Sequence, residues 1–185
     1  MPFDDVPAFI AALREREGVA PRALEFAILT AARSGEVLGA RWEELSLEKG
    51  LWTVPARRMK AGREHRVPLS RRAVEILRDM ERVRLSEYVF PGMKRGRPLS
   101  VMALEMVLRR MKQDVTVHGF RSAFRDWAGE RTHFPREVAE AALAHLVGDA
   151  VERAYRRGDA LGKRRELMDL WDAFQLQGKA TTKQV

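Results

Sequence analysis

Apolar residues recur at helical spacing along most of the chain, and the period changes only in one short stretch. Asp4-Asp5 followed by Val6, Phe9, Ile10 and Leu13 predicts a capped amphipathic helix with Pro7 in its first turn. Pro21, with Leu24, Ala27, Ile28 and Ala31 behind it, predicts a second helix over 21–33, and Ser34 is placed to cap a short third one through Leu38 and Ala40. After Lys49-Gly50 the period shortens. Leu51-Trp52-Thr53-Val54 and His65-Arg66-Val67 read as two short strands joined by a basic turn around Lys60-Ala61-Gly62. Ser70 caps a helix near 71–83, and 86–99, with Pro91, Gly92, Gly96 and Pro98, is a loop. Helices are then predicted from Ser100 to about 112, over 119–131, 135–145, 149–157 and 160–175, before a frayed tail. The predicted fold class is mainly α with a small antiparallel β-sheet or hairpin (α+β).

Composition narrows what such a fold does. At 185 residues and 45% hydrophobic the chain is the size of one domain and can bury a core. It has no cysteine, which excludes a disulfide scaffold and a thiolate zinc site. No apolar run approaches the roughly 18 residues of a membrane span, and the N-terminus lacks the pattern of a signal peptide, so a soluble, intracellular protein is expected. The net charge is +8, and it is concentrated. Residues 1–50 carry 6 bases and 9 acids, residues 51–125 carry 18 and 7, and residues 126–185 carry 10 of each. A concentrated excess points to a docking face for an acidic partner, nucleic acid first and an anionic membrane surface second. Arginines that merely solvate helix surfaces would give the same number.

Four features are left once the core pattern is assigned. Arg33-Ser34-Gly35-Glu36 lies at a break between helices, where an Arg can project its fork into a cleft with Glu36 to orient it; alone, it reads equally as a cap and salt bridge. His118 and Arg121, three apart at a helix start, share a face where free amides favour an anion, and the stripe Phe120, Phe124 and Trp127 takes the core side. His145 closes an apolar helix, where a hydrogen-bonded core histidine is also at home, and Tyr155 follows ten residues later with Arg156 and Arg157 behind it. Together they form a phosphate-handling set: two Arg forks, two imidazoles and a phenol able to form a covalent phosphoryl intermediate. The histidines, His65, His118, His133 and His145, lie in no metal-binding spacing.

The order Arg33, Lys60, His118-x-x-Arg121, His145, Tyr155 resembles the catalytic domain of the tyrosine recombinases, or phage integrases. The wording of LTAARSGEVLGARW, MKAGREHRVPLS, HGFRSAFRDWA, LAHLVGDAVERAY and KRRELMDLW is similar to the prophage and genomic-island type. The resemblance implies that fold, with a catalytic domain over 1–178 and a flexible tail at 179–185. It implies that Arg33 and Arg121 hold the non-bridging phosphate oxygens, Tyr155 attacks phosphorus, and Lys60 protonates the leaving 5′-oxygen. His118 would assist proton transfer, His145 would donate to the phosphate, and Glu36 would orient an Arg or a His. Arg57, Arg58, Arg63, Arg125 and Arg156 are the further bases expected to reach DNA.

The bond energy would be kept in a 3′-phosphotyrosine, so no cofactor, neither ATP nor metal, is implied. The implied partners are double-stranded DNA attachment sites, a homotetramer on DNA for the full-length protein with this chain a monomer, and accessory DNA-bending or directionality factors. No membrane partner is expected, and the location would be the bacterial cytoplasm, at the nucleoid. The core-binding and arm-binding domains usual ahead of such a domain have no counterpart in the sequence, so a catalytic fragment is expected. Thr30-Ala31-Ala32 stands where Thr-Gly-Leu is commoner, a change expected to be harmless at a helix end. Relaxation chemistry of the type IB topoisomerases and a non-catalytic DNA-binding remnant of the same fold are the competing readings.

Overall fold

One helix, α2 (Val19–Thr30), is buried on every side from Ala23 to Thr30, and the other elements are laid around it. In the computed structural model, which describes residues 1–145 and 159–177, α1 (Val6–Arg14) precedes it and the short α3 (Ser34–Leu38) follows. Strands β1 (Leu45–Ser46), β2 (Leu51–Val54) and β3 (His65–Pro68) come next, then α4 (Arg71–Arg82), α5 (Ala103–Arg110), α6 (Gly119–Arg131), α7 (Arg136–Ala142) and α8 (Leu161–Leu176). α2 packs against α1, α4, α5 and α8, so both halves of the chain share one core.

The sheet is antiparallel in the order β1-β2-β3, with Trp52 opposite Val67 and Val54 opposite His65. Trp52, Val54 and Val67 are buried by the two-residue period of the strands. The arm that connects β2 and β3 is rooted by the buried Met59 and exposed over residues 60–64, with Gly62 at φ +62° making its turn.

Two interactions seat the C-terminal helix and the first half of the fold on α2. The Trp171 indole donates to Ile28 O at 2.9 Å and stacks among Phe124, Trp127 and Phe174. Glu25, buried in α2, accepts from Arg14 Nε at 2.7 Å and from Arg72 Nε at 2.8 Å. That carboxylate is buried with its charge answered from two neighbouring helices.

The predicted α+β architecture is the observed one, and the helix ends carry the corrections. A first turn of 3-10 helix, Phe3–Asp5, precedes α1, and neither Asp caps it through a side chain. Arg33, not Ser34, is the N-cap of α3, because Glu36 returns to the Arg33 backbone N–H. Ser70 does cap α4, accepting from Ala73 N, whereas α5 begins at Ala103, with Ser100 contributing only its carbonyl. β1 extends the hairpin to three strands. The expected helix over 149–157 and most of the tail lie outside the described residues.

α2 stops at Thr30 because Ala31 turns left-handed, at φ 49° and ψ 27°. The Thr-Ala-Ala departure places an Ala in a conformation that Gly adopts freely. Ala160, the exposed residue before α8, is left-handed as well, at φ 53°. Ala160→Gly should raise stability by about 0.5–1 kcal/mol and the melting temperature by about 2 °C. Ala31→Gly should be close to neutral, because it also strips a fully buried methyl worth about 0.8 kcal/mol. Paired urea and thermal denaturation of the two variants checks both.

Candidate active site

The stripe Phe120, Phe124 and Trp127 takes the core side of α6, and its first-turn arginine is buried as well. Arg121 is 5% exposed. Its Nη1 donates to Ala31 O at the end of α2, and its Nη2 donates to Leu143 O at 2.7 Å, just past the end of α7. Nη2 also lies 3.3 Å from His145 Nε2. Among the described residues no carboxylate touches it; helix C-terminal carbonyls, with the negative ends of two helix dipoles, hold the charge instead. Burial pushes the Arg121 guanidinium down to about 10, Arg33 nearby pushes the same way, and Glu36 opposes both. A guanidinium has five N–H donors, and Nε finds no partner among the described residues. Donors therefore remain for an anion.

Arg33 stands beside this centre as the N-cap of α3. Glu36, 5% exposed, accepts from the Arg33 backbone at 3.0 Å and from its Nη1 at 2.9 Å, so one carboxylate starts the helix and aims the guanidinium. Of the two partners expected for Glu36, an Arg or a His, the contact is with the Arg. The third member is His145. α7 ends in a Schellman turn, with Ala144 at φ 52°, Ala144 N donating to Ala141 O and His145 N donating to Glu140 O. That turn folds His145 back beside its own helix, where Nδ1 meets Glu140 Oε2 at 2.6 Å.

Arg33, Glu36, Arg121 and His145 are thus brought together. His118 is exposed at the N-cap of α6, in the same turn as Arg121, while Lys60, Arg57 and Arg63 are exposed on the β2–β3 arm. Arg57 is loosely paired with Glu43 at 3.6 Å. Arg58 corrects its assignment as a DNA contact. It turns inward, grips Glu44 through Nε at 2.8 Å and Nη2 at 2.7 Å, and donates to Glu36 O from both Nη atoms. A Cβ at Gly39 would stand 2.4 Å from Arg58 Nη1, so glycine is needed there for the fork to reach. Arg125, half exposed, already spends its Nε on Glu140 at 2.8 Å. Tyr155 and Arg156 lie outside the described residues. Asp159, at their downstream edge, is clamped by Arg66 at 2.8 and 2.9 Å and by Arg164 at 2.8 Å.

Two residues in this neighbourhood escaped the sequence reading. Glu140 carried no signal, since five residues before a histidine is not a same-face spacing on a helix. His65 was weighed only as a metal ligand, and among the described residues no three His, Cys, Asp or Glu converge as a metal group. A cleft of about 530 Å³ between α6 and α7 is lined by Arg125, Asp126, Glu130, Phe134, Arg136 and Glu140.

Comparison with known proteins shows the family. The model of the phage integrase family matches residues 1–160. The chain is 38% identical over 179 residues to prophage integrase IntZ of Escherichia coli K12, covering 94% of this chain and 44% of that protein. It is 38% identical to IntA of the same strain over 148 residues, covering 78% of this chain and 36% of IntA. The chain therefore spans less than half the length of these curated relatives. Among solved structures, the integrase from mycobacterium phage Brujita superposes at a TM-score of 0.70 with 20% identity, over 100% of this chain and 60% of that one. A lambda integrase dimer bound to a COC′ core site superposes at 0.60 with 19% identity, over 86% of this chain and 59% of that one. A lambda integrase tetramer bound to a Holliday junction superposes at 0.58 with 20% identity, over 85% and 47%.

His65 ties the sheet to the end of α7 through Nε2, which donates to Ala142 O at 3.3 Å. Burial lowers it from 6.5 to about 4, helped by the charges of Arg164 and Arg33 against those of Glu36 and the Ala142 carbonyl. The unfolded chain therefore takes up this proton first as pH falls. The stability His65 contributes is complete above about 6.5 and is lost progressively toward pH 4. Between those limits the wild-type protein should lose roughly 3 kcal/mol more than His65→Gln, read from paired urea denaturation across the pH series.

Proposed function

The chain belongs to the phage integrase family, and from that premise we propose that it is the catalytic domain of a site-specific recombinase that breaks and rejoins DNA through a 3′-phosphotyrosine. The observation that carries this reading is the buried Arg121, whose unspent donors sit beside Arg33 and His145 in one cationic centre. That centre suits the non-bridging oxygens of a phosphodiester, whose negative charge grows as phosphorus becomes five-coordinate. Arg33 and Arg121 are the clamp, and the fixed positions of both forks make the geometry pre-set for the transition state.

In this reading the Tyr155 oxygen attacks phosphorus and gives up its proton toward His118. The bond from phosphorus to the 5′-oxygen breaks, and Lys60 on the β2–β3 arm supplies the proton that the leaving 5′-oxygen takes. The exposed arm lets Lys60 approach the DNA from outside the core, as a general acid on the leaving side must. Rejoining runs the same steps backwards, with a 5′-hydroxyl attacking the phosphotyrosine. The substrate proposed is double-stranded DNA carrying attachment sites, with integration or excision of a prophage or genomic island as the outcome. The lambda integrase structures, a dimer on a core site and a tetramer on a Holliday junction, support DNA as partner and assembly on it as the working state. Accessory bending or directionality factors and action at the bacterial nucleoid belong to the same proposal. Among the described residues no helix is long and apolar enough to cross a membrane.

Tyr155→Phe should retain DNA binding and form no covalent adduct on a nicked suicide substrate run on a denaturing gel; a persisting adduct would remove Tyr155 from the role of nucleophile. Lys60→Ala should slow cleavage about 10²-fold or more on ordinary DNA. The loss should be much smaller when the leaving 5′-oxygen is replaced by sulfur, which departs without a proton. Equal losses on the two substrates would take the general-acid role from Lys60.

A further inference from the structure

His145 is held from both sides. Its Nδ1 is 2.6 Å from Glu140 Oε2 and its Nε2 is 3.3 Å from Arg121 Nη2, while the ring itself is 41% exposed. Glu140 is only 7% exposed, and three basic groups converge on it: His145, Arg125 Nε at 2.8 Å and Arg136 Nε at 3.5 Å. The Arg125 contact is an ion pair and leaves Oε1 without a well-aligned hydrogen bond. Oε2 is given wholly to the imidazole.

We propose that Glu140 is a positioning residue for the recombinase site: it fixes the proton of His145 on Nδ1, turns Nε2 toward the Arg121 centre, and supplies the counter-charge that lets Nε2 carry a second proton for the phosphate. The inference rests on the function proposed above, and it adds a residue that the sequence left unmarked. With Nδ1–H committed to Glu140, Nε2 of the neutral ring has only a lone pair, which suits Arg121 Nη2 as a donor. A phosphate oxygen also has only lone pairs, so the neutral ring meets it acceptor to acceptor. His145 donates to phosphate only as the imidazolium.

The surroundings divide on that form. Arg121 and Arg125 on α6 and Arg136 on α7 oppose a positive ring, and Glu140 on α7 favours it. From β3, His65 reaches only the Ala142 carbonyl and is neutral above about pH 4. Burial alone would raise the Glu140 carboxyl; the His145 hydrogen bond and the Arg125 charge outweigh it and hold the carboxyl below its ordinary value. Glu140 therefore stays charged where the enzyme works.

The test uses the whole chain with Glu140→Gln, which keeps an acceptor and removes the charge, and Glu140→Ala, which removes both; thermal melts show that each is folded. In nitrogen-15 spectra of the histidine rings at alkaline pH, wild-type His145 should carry its proton on Nδ1, and Glu140→Ala should move it to Nε2. In phosphotyrosine formation on nicked DNA, the rate of Glu140→Gln relative to wild type should fall progressively as pH rises. An unchanged tautomer in Glu140→Ala, or a Glu140→Gln profile that loses the same factor at every pH, overturns the proposal in favour of a purely structural Glu140. A tautomer that moves in a protein whose wild type never forms an adduct would keep the Glu140–His145 coupling and refute the recombinase reading instead.

Discussion

A buried guanidinium held by backbone carbonyls, with no carboxylate against it among the described residues, is the constraint on which the site depends. Taking a charge out of water costs several kcal/mol, and Arg121 offsets that cost only where carbonyl oxygens are already gathered. Helix C-termini are such places, because their last carbonyls lack partners within the helix. Satisfying Arg121 therefore forces the end of α2 and the end of α7 to meet over the first turns of α6. Arg33 lies two residues past the first meeting point and His145 two past the second. The groups proposed to face the phosphate are thus spaced by the groups that solvate one arginine.

The supporting contacts follow the same economy of one group serving two partners. Glu36 opens α3 and aims Arg33; Glu140 orders the turn at the end of α7 and holds His145. Arg58 locks Glu44 to the carbonyl of Glu36, so the base of the exposed arm is joined to the helix that carries Arg33. The arm bearing Lys60 is therefore anchored at its root and free at its tip. That combination suits a group that must meet a substrate from outside while its origin stays in register with the clamp.

Much of this was legible in the sequence, and what was not has physical causes. The stripe Phe120, Phe124 and Trp127 announced both α6 and the inward side, and alternation at 51–54 announced β2. Strand β1 was invisible because two residues, Leu45 and Ser46, are too few to show a period. The end of α2 was misplaced because helix stops are read from glycine, and here Ala31 makes the left-handed turn. Arg33 reads from the sequence as the last residue of one helix, with Ser34 as the cap of the next, whereas it is itself the cap, a position whose usual side chains are short and polar. Arg58 and Arg57 look alike in a basic turn; only the third dimension, with Glu44 approaching from before β1, sends one inward and leaves the other in water. Glu140 was hidden because the Schellman turn reverses the chain between it and His145.

The inward turn of such arginines bears on how the protein feels salt. Within the basic middle of the chain, Arg58, Arg66, Arg72 and Arg125 are committed to Glu44, Asp159, Glu25 and Glu140. An arginine neutralised from within displaces no cation from a polyanion, so it adds nothing to the entropy gained when bound counterions are released. Formal charge along residues 51–125 thus overstates the ionic-strength dependence of binding. What steepness binding to a polyanion shows would come from the outward bases, among them Lys60 and Arg63 on the arm and Lys94, Arg95 and Arg97 on the loop before α5.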